Sequence, residues 1–97
     1  MKNYYVYILK CSDNSYYTGV TSDLENRLLQ HNRGKWKSCY TYLRRPVELL
    51  HFESYHWVLN AIHREKQIKG WSRAKKEALI AGDLEKLKAL CKFKKRT

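Results

Sequence analysis

The chain has 97 residues, a length that supports one hydrophobic core and excludes two domains with separate cores. Hydrophobic residues make up 43% of the chain, which holds only 4 Gly and 1 Pro, and this composition excludes a disordered or low-complexity protein. Twenty Lys and Arg outweigh nine Asp and Glu to give a formal charge of +11, so we expect a nucleic acid partner, whose phosphates release counterions on binding.

The first predicted elements are two strands joined by a turn. Tyr4 to Lys10 is aromatic and β-branched without Pro or Gly, which predicts a strand. The polar run from Cys11 to Ser15 predicts a turn, and Tyr16 to Val20 predicts a second strand. We therefore expect an antiparallel hairpin.

A capping box predicts the first helix. Ser22 is followed by Glu25 at the third position after it, a spacing in which each side chain can bond the other residue's backbone N–H. The helix is predicted from Asp23 to about Asn32, ending near Gly34. The basic and aromatic residues from Lys35 to Arg45 are predicted to form a loop with a helical turn.

A third strand and a longer helix follow. Pro46 can begin a strand but not lie within one, so the strand is predicted over Val47 to Glu53. Ser54 is predicted to cap a helix from Tyr55 to Lys69, which Gly70 closes. The apolar stripe of this helix is predicted to consist of Val58, Leu59 and Ile62.

Two short helices complete the predicted order. Ser72 caps a helix through Ile80, and after the break at Gly82 the fourth helix is capped by Asp83 and carries Leu84, Leu87 and Leu90. The order ββ-α-β-α-α-α predicts an α/β chain of the α+β type, in which helices cover a three-stranded sheet. We expect one domain over residues 1–91 and a basic C-terminal tail over 92–97 that frays.

Cysteine usage and hydropathy indicate the compartment. No run approaches the ~20 apolar residues of a membrane helix. Met1 to Leu9 has one Lys and too short an apolar run for a signal peptide. Cys11, Cys39 and Cys91 are odd in number and widely spaced, which favours reduced thiols. We therefore expect a cytoplasmic protein without a membrane partner; its oligomeric state is left open.

Tyrosines and one helix face are the first candidates for a site. Along the first strand, one face carries Tyr5, Tyr7 and Leu9, and the other carries Tyr4, Val6 and Ile8. Tyr17 lies across the hairpin, and buried rings with hydroxyls at the rim would also explain these tyrosines. Arg27 and His31 are four residues apart and project from one face of the first helix. They are either a solvated Arg with a core-edge His, or a phosphate clamp beside a proton carrier.

Glu65 is the most informative single position. It lies three residues after Ile62 and seven after Val58, on or beside the predicted apolar stripe. Because an unpaired carboxylate is costly to bury there, it needs a cation. The sequence leaves open whether that cation is a Lys or Arg from another element, or a divalent metal such as Mg²⁺.

Basic residues outside these positions are candidates for phosphate contacts. Arg73 and Lys75 follow Ser72, and positive charge at a helix start is tolerated if a phosphate binds there. A solvated face is the alternative. The predicted nucleic-acid-binding set is Lys35, Lys37, Arg44, Arg45, Arg73 and Lys75.

These residues, in this order, resemble the GIY-YIG nuclease family. Tyr5-Val6-Tyr7 and, ten residues later, Tyr17-Thr18-Gly19 are similar to the two halves of its signature. Arg27 and His31 fall where the family has its helix Arg and a following His or Tyr, and Glu65 falls at its metal-binding Glu. The stretch from Glu65 to Ile80 is similar to small stand-alone bacterial members related to the N-terminal incision domain of nucleotide excision repair.

The resemblance implies a three-stranded antiparallel sheet flanked by helices and hydrolysis of a phosphodiester with one divalent ion, Mg²⁺ or Mn²⁺. Tyr7 or Tyr17 would orient or deprotonate the water, although a tyrosine with a pKa near ~10 needs nearby positive charge to act as a base. Arg27 would neutralise phosphate charge, His31 would relay a proton or fix the phosphate, and Glu65 would hold the metal.

Two departures from the family pattern bear on activity. Tyr5-Val6-Tyr7 lacks the family's Gly, and no Asn follows Glu65, whereas many members use a late Asn to contact the substrate. Ser72 or Lys75 would have to replace it. The leading hypothesis is a metal-dependent nuclease acting on DNA, preferred over RNA, in repair or recombination. The alternatives are a nucleic-acid-binding module with weak or no catalysis, and a small RNA- or ribosome-binding protein.

Overall fold

The computed structural model describes residues 2–95, with side chains described as far as Cys91. The strands are β1 (Tyr4–Lys10), β2 (Tyr16–Thr21) and β3 (Glu48–Tyr55). The helices are α1 (Leu24–Arg33), α2 (Val58–Lys69), α3 (Arg73–Ala81) and α4 (Leu84–Lys95), and a 3₁₀ turn lies at Tyr42–Arg44. The predicted order ββ-α-β-α-α-α is confirmed.

The three strands form one antiparallel sheet in the order β2-β1-β3, so β1 is central. Its alternate side chains face opposite layers. Val6 and Ile8 pack in the larger core, with residues from α2, α3 and α4. Tyr7 and Leu9 lie on the other face, against partly buried leucines of α1. The predicted alternation along β1 is therefore confirmed, and it places Tyr7 beneath α1.

The cap of α1 differs from the prediction. The carboxylate of Asp23 accepts a hydrogen bond from the backbone N–H of Asn26 at 3.2 Å, so Asp23 is the cap and Ser22 is not. The hydroxyl of Thr21 accepts from the Asp23 N–H at 3.1 Å and holds this residue outside the helix. Gly34 ends α1 as predicted, with a φ of 73° in the left-handed region that favours glycine.

The predicted start of α2 is wrong. Ser54 and Tyr55 belong to β3, where they pair with Tyr5 and Tyr4 of β1. Helix α2 starts only at Val58, and no side chain caps it. Sheet pairing therefore outweighs the local preference of serine for a helix cap.

The buried stripe of α2 also differs from the prediction. Val58 is 41% exposed and Leu59 is 65% exposed, so neither belongs to the core. The buried residues are Ala61, Glu65 and Ile68, spaced as one helical face. This correction places Glu65 on the buried face itself.

The caps of the last two helices are confirmed. Ser72 accepts from the Lys75 N–H at 3.3 Å and Asp83 from the Lys86 N–H at 3.1 Å. The backbone of α4 continues to Lys95, so the predicted tail, residues 92–97, begins within this helix. The side chains of residues 92–95 and the whole of residues 96–97 lie outside the described part of the chain. Across residues 2–95, no helix has the length and hydropathy to cross a membrane.

Candidate active site

A close approach between Gly19 and Tyr7 organises the site. The two residues are paired across β1 and β2, and the Tyr7 ring lies over the glycine. A Cβ at position 19 would lie 2.5 Å from the Tyr7 hydroxyl oxygen, closer than real contacts allow. Only glycine leaves room for the Tyr7 ring at this position, and the phenol occupies the space that a side chain would take.

The Tyr7 hydroxyl meets His31 of α1. The Tyr7 hydroxyl oxygen lies 3.0 Å from Nε2 of His31, and Nδ1 of the same ring lies 2.9 Å from Oγ1 of Thr41. All three residues are buried, at 1%, 2% and 1% exposure respectively. Both imidazole nitrogens are therefore engaged, which holds the ring in one orientation.

Burial and charge set the protonation of this pair. Burial raises the pKa of Tyr7, and a hydrogen bond from Arg27 only partly opposes the shift. Burial and then the charge of Arg27 lower the pKa of His31. His31 is consequently neutral near pH 7, with one ring nitrogen able to accept a proton.

Tyr17 lies beside the pair in a different environment. Its ring centre lies 5.2 Å from that of His31 and 6.3 Å from that of Tyr7, and its outer face stacks on Tyr40. Burial is the main cause that raises the pKa of Tyr17, and a hydrogen bond to Cys39 adds to it. Tyr7 thus contacts a base, whereas Tyr17 contacts a thiol.

Arg27 lies on the same face of α1 as His31. Its Nη1 donates to the Val20 carbonyl at 3.4 Å, and its guanidinium carbon lies 5.2 Å from the ring centre of Trp36. The Trp36 and His31 rings in turn meet edge to face, with their centres 5.4 Å apart. Among the side chains described, no carboxylate forms an ion pair with Arg27, so its charge is available to an anion.

Glu65 reaches the cluster from α2. Its negative charge contributes to the raised pKa of Tyr7, as the smallest of the causes. Its Oε2 lies 2.6 Å from Nζ of Lys69, one turn further along α2, and the side chains are 12% and 53% exposed. The cation beside Glu65 is therefore a half-exposed lysine of its own helix, not one from another element.

The donor set is compatible with a lightly held Mg²⁺ or Mn²⁺. The described residues contain no group of three or more His, Cys, Asp or Glu side chains arranged around an ion. Mg²⁺ is commonly held by one or two carboxylates, with water and substrate phosphate completing its shell. Glu65 supplies one such carboxylate, and the exposed Lys69 can move away from it.

Four of the five predicted site residues, Tyr7, Tyr17, Arg27 and His31, lie together, and the fifth, Glu65, is near enough for its charge to raise the pKa of Tyr7. Residues of the 36–41 loop that were not predicted complete the cluster: Trp36, Cys39, Tyr40 and Thr41. This loop lacks the periodicity of a helix or strand, so its aromatic and polar composition was the sole signal.

Part of the predicted basic set borders this cluster. Nζ of Lys35 lies 5.4 Å from the centre of the Trp36 ring. The Arg44 guanidinium lies 3.8 Å from the centre of the Tyr40 ring and is paired with Asp13 at 3.0 Å. Lys37 is exposed on the same loop. Arg45 instead donates to the Tyr42 carbonyl at 2.8 Å and supports the loop from within.

The two basic residues of α3 are placed differently. Arg73 is tied to Glu77 at 3.0 Å and donates to the Asn14 carbonyl at 2.6 Å. Lys75 is 6% exposed, with Nζ 6.0 Å from the Trp71 ring centre. Lys75 is therefore buried, whereas Lys35 and Lys37 are exposed.

Comparison with known proteins gives one consistent family. The profile described as the GIY-YIG catalytic domain matches residues 3–78. A UPF0213 protein of Syntrophus aciditrophicus is 47% identical over 87 residues, which cover 90% of this chain and 100% of the relative. A UPF0213 protein of Staphylococcus saprophyticus is 44% identical over 81 residues, covering 84% and 98%.

Two solution NMR structures share the fold. That of a UPF0213 protein from Bacillus halodurans aligns with a TM-score of 0.54 at 40% identity, covering 81% of this chain and 83% of that one. That of a protein from E. faecalis aligns with a TM-score of 0.59 at 37% identity, covering 84% and 86%. Because the family profile matches residues 3–78 of the 97, the chain belongs to the GIY-YIG catalytic domain family.

Proposed function

We propose that this protein is a metal-dependent nuclease that hydrolyses phosphodiester bonds in DNA, with a role in repair or recombination. One observation carries the proposal. A buried phenol, Tyr7, is hydrogen-bonded to a neutral histidine, His31, directly beside an arginine that no described carboxylate neutralises. Attack of water on a phosphodiester needs a group that accepts the proton of the water and a positive charge that stabilises the phosphate oxygens, and these residues supply both.

The two tyrosines have separate roles in this proposal. A free phenolate at Tyr7 is disfavoured by its raised pKa, but His31 offers a way around it. As water attacks phosphorus, its proton moves to the Tyr7 oxygen while the Tyr7 proton moves to Nε2 of His31. The bond from phosphorus to the leaving oxygen breaks, and that oxygen takes a proton from solvent. Tyr17, whose hydroxyl is bonded to Cys39, orients the water.

Arg27 and Glu65 act on charge. The Arg27 fork donates to the non-bridging phosphate oxygens as their charge grows. Glu65 would hold the Mg²⁺ or Mn²⁺ ion, which would supply positive charge that stabilises the negative charge developing in the reaction. Loss of such stabilisation typically costs ~10²–10³ in rate.

The DNA would lie against the loop beside this cluster. Lys35 and Lys37 provide phosphate contacts, and Arg44 does so by exchanging its ion pair with Asp13 for a phosphate. The +11 charge supports binding to any nucleic acid, and membership of the GIY-YIG family supports DNA as the substrate that we propose.

The ion pair between Glu65 and Lys69 favours a second candidate, a binding module with weak or no catalysis. A lysine ammonium 2.6 Å from the carboxylate satisfies the charge that a metal would otherwise balance. In that case the scaffold binds nucleic acid through the same basic loop.

A substrate screen separates the two candidates. Purified protein is incubated with single-stranded, duplex, flap and branched DNA, and with matched RNA, in Mg²⁺, Mn²⁺ or excess chelator. Cleavage of a DNA substrate that chelator abolishes is the expected result. Binding that chelator does not change, with every substrate left intact, would support the binding module instead.

A further inference from the structure

The loop that follows α1 contributes a hydrogen-bond chain to the site. Oγ1 of Thr41 lies 2.9 Å from Nδ1 of His31 and donates to Sγ of Cys39 at 3.4 Å. Tyr7, His31, Thr41 and Cys39 therefore form one continuous series of contacts. The first three are buried, and Cys39 is half-buried.

Only one arrangement of protons gives the Tyr7 hydroxyl, the His31 ring and the Thr41 hydroxyl an acceptor each. If Nδ1 of His31 carries the proton, it donates to Thr41, whose own proton is directed at Cys39. Nε2 is then unprotonated and accepts from the Tyr7 hydroxyl. In the opposite tautomer, Nε2 donates to Tyr7, and the phenol proton is left without an acceptor among the described residues. Arg27, which also hydrogen-bonds Tyr7, is a donor, and Glu65 acts on Tyr7 through its charge without a hydrogen bond. A buried donor left without an acceptor costs about 1–3 kcal/mol.

The sulfur of Cys39 is suited to end the chain as an acceptor. Burial alone would raise the pKa of Cys39, but hydrogen bonds from the Thr41 hydroxyl and backbone, the Tyr17 hydroxyl and the Tyr40 backbone lower it. Electron density on the sulfur is thus stabilised from several sides. The Thr41 proton is held towards Cys39 and away from His31.

We propose that Thr41 is a positioning residue that holds His31 in the tautomer protonated at Nδ1, with Cys39 as the acceptor that orients Thr41. This role rests on the proposed nuclease function: the tautomer leaves Nε2 free to take the Tyr7 proton. The opposite tautomer would direct a proton at Tyr7 and block that transfer.

The tautomer can be read without DNA or metal, in the full chain labelled with ¹⁵N-histidine, from the shifts of the His31 ring nitrogens. The wild type and Thr41→Ser, which keeps the hydroxyl, should show a protonated Nδ1. Thr41→Val keeps the shape but removes the acceptor, so the Nε2-protonated form should appear. Cys39→Ala frees the Thr41 proton to turn towards Nδ1, and should give a mixture; it also serves if Thr41→Val does not fold.

Cleavage assays complete the test. Thr41→Val should lower kcat about 100-fold, as expected for an impaired general base, with KM little changed, and Thr41→Ser should restore most of the rate. A wild type protonated at Nε2, or an unchanged tautomer in both Thr41→Val and Cys39→Ala, would overturn the positioning role. If the tautomers change as expected but no variant or wild type cleaves DNA, the nuclease proposal fails and the hydrogen-bond assignment stands.

Discussion

The hydroxyl of Tyr7 and Nε2 of His31 lie 3.0 Å apart, although the residues are 24 positions apart and come from β1 and α1. The neighbouring Gly19 leaves the space in which the phenol reaches the imidazole. Tyr17, the other signature tyrosine, lies against the same imidazole by its ring edge and bonds Cys39 through its hydroxyl. The two tyrosines are therefore chemically distinct.

This distinction predicts unequal effects of removing the two hydroxyls. Tyr7→Phe removes the group that passes a proton to His31, so we expect kcat to fall ~10²–10⁴-fold. Tyr17→Phe removes an orienting contact and should cost less. Single-turnover cleavage of the best DNA substrate measures both. Equal losses, or a greater loss in Tyr17→Phe, would reverse the assignment of the base.

The lowered pKa of His31 predicts the acid limit of activity. The proposed mechanism needs neutral His31, and burial and Arg27 both hold its pKa below the usual ~6.5. Cleavage should therefore persist as pH falls through that value and decline only below it. The pH profile of kcat/KM reports this limit in the free protein.

Removing the charge of Arg27 should shift the pKa of His31 in a known direction. Arg27→Met removes a positive charge that lowers the pKa of His31, so the pKa should move upward. An NMR titration of the His31 ring reads this shift even though the variant cleaves slowly. A downward shift would contradict the placement of the guanidinium beside the imidazole.

The ion pair between Lys69 and Glu65 predicts that removing the lysine increases the affinity for metal. Its ammonium is paired with the carboxylate that we assign to the metal, so Lys69→Ala should strengthen Mn²⁺ binding several-fold. Without the ion the variant should also lose stability, because Glu65 is 12% exposed and is left without its cation. Calorimetric titration of Mn²⁺ measures the affinity, and Lys66→Ala, an exposed lysine of the same helix, is the matched control. Equal affinity in both variants and the wild type would argue against Glu65 as the ligand.

The hydrogen bonds around Glu53, outside the candidate active site, predict how the stability of the protein depends on pH. Burial opposes its ionisation, but hydrogen bonds from Arg64, His51 and Tyr55 outweigh burial and lower the pKa of Glu53 to about 2. Its stabilisation is therefore fully present above the ordinary pKa of ~4.3 and is lost as pH falls towards 2.

Glu53→Gln should lower the free energy of unfolding by about 1–3 kcal/mol at pH 7, because it leaves Arg64 without its carboxylate. The difference from wild type should shrink as pH falls below ~4.3. Urea unfolding at a series of pH values measures it, with the exposed Glu48→Gln as control. A difference that grows in acid would contradict the linkage.

Much of the fold follows from local chemistry in the sequence. The strand alternation of Val6, Tyr7 and Ile8 and the caps at Ser72 and Asp83 all formed as predicted. Ser54 did not become a cap because β3 continues along β1, a tertiary pairing that local preference does not reveal.

The site was predictable where regular elements carry it. Arg27 and His31 share a face because helical spacing requires it, and Glu65 was singled out as a carboxylate that needs a cation. Lys69, one turn from Glu65, was not predicted as its partner. Thr41 and Cys39 were also not predicted, because an irregular loop gives no periodicity from which to place a side chain.

The central claim is that Glu65 anchors the ion on which DNA cleavage depends. The decisive measurement is the single-turnover rate of DNA cleavage in Mg²⁺ or Mn²⁺ for wild type, Glu65→Ala and the exposed control Glu85→Ala, each purified alike and shown to be folded. We predict that wild type and Glu85→Ala cleave at equal rates and that Glu65→Ala is at least ~10²-fold slower. Cleavage by Glu65→Ala at the wild-type rate would contradict the account.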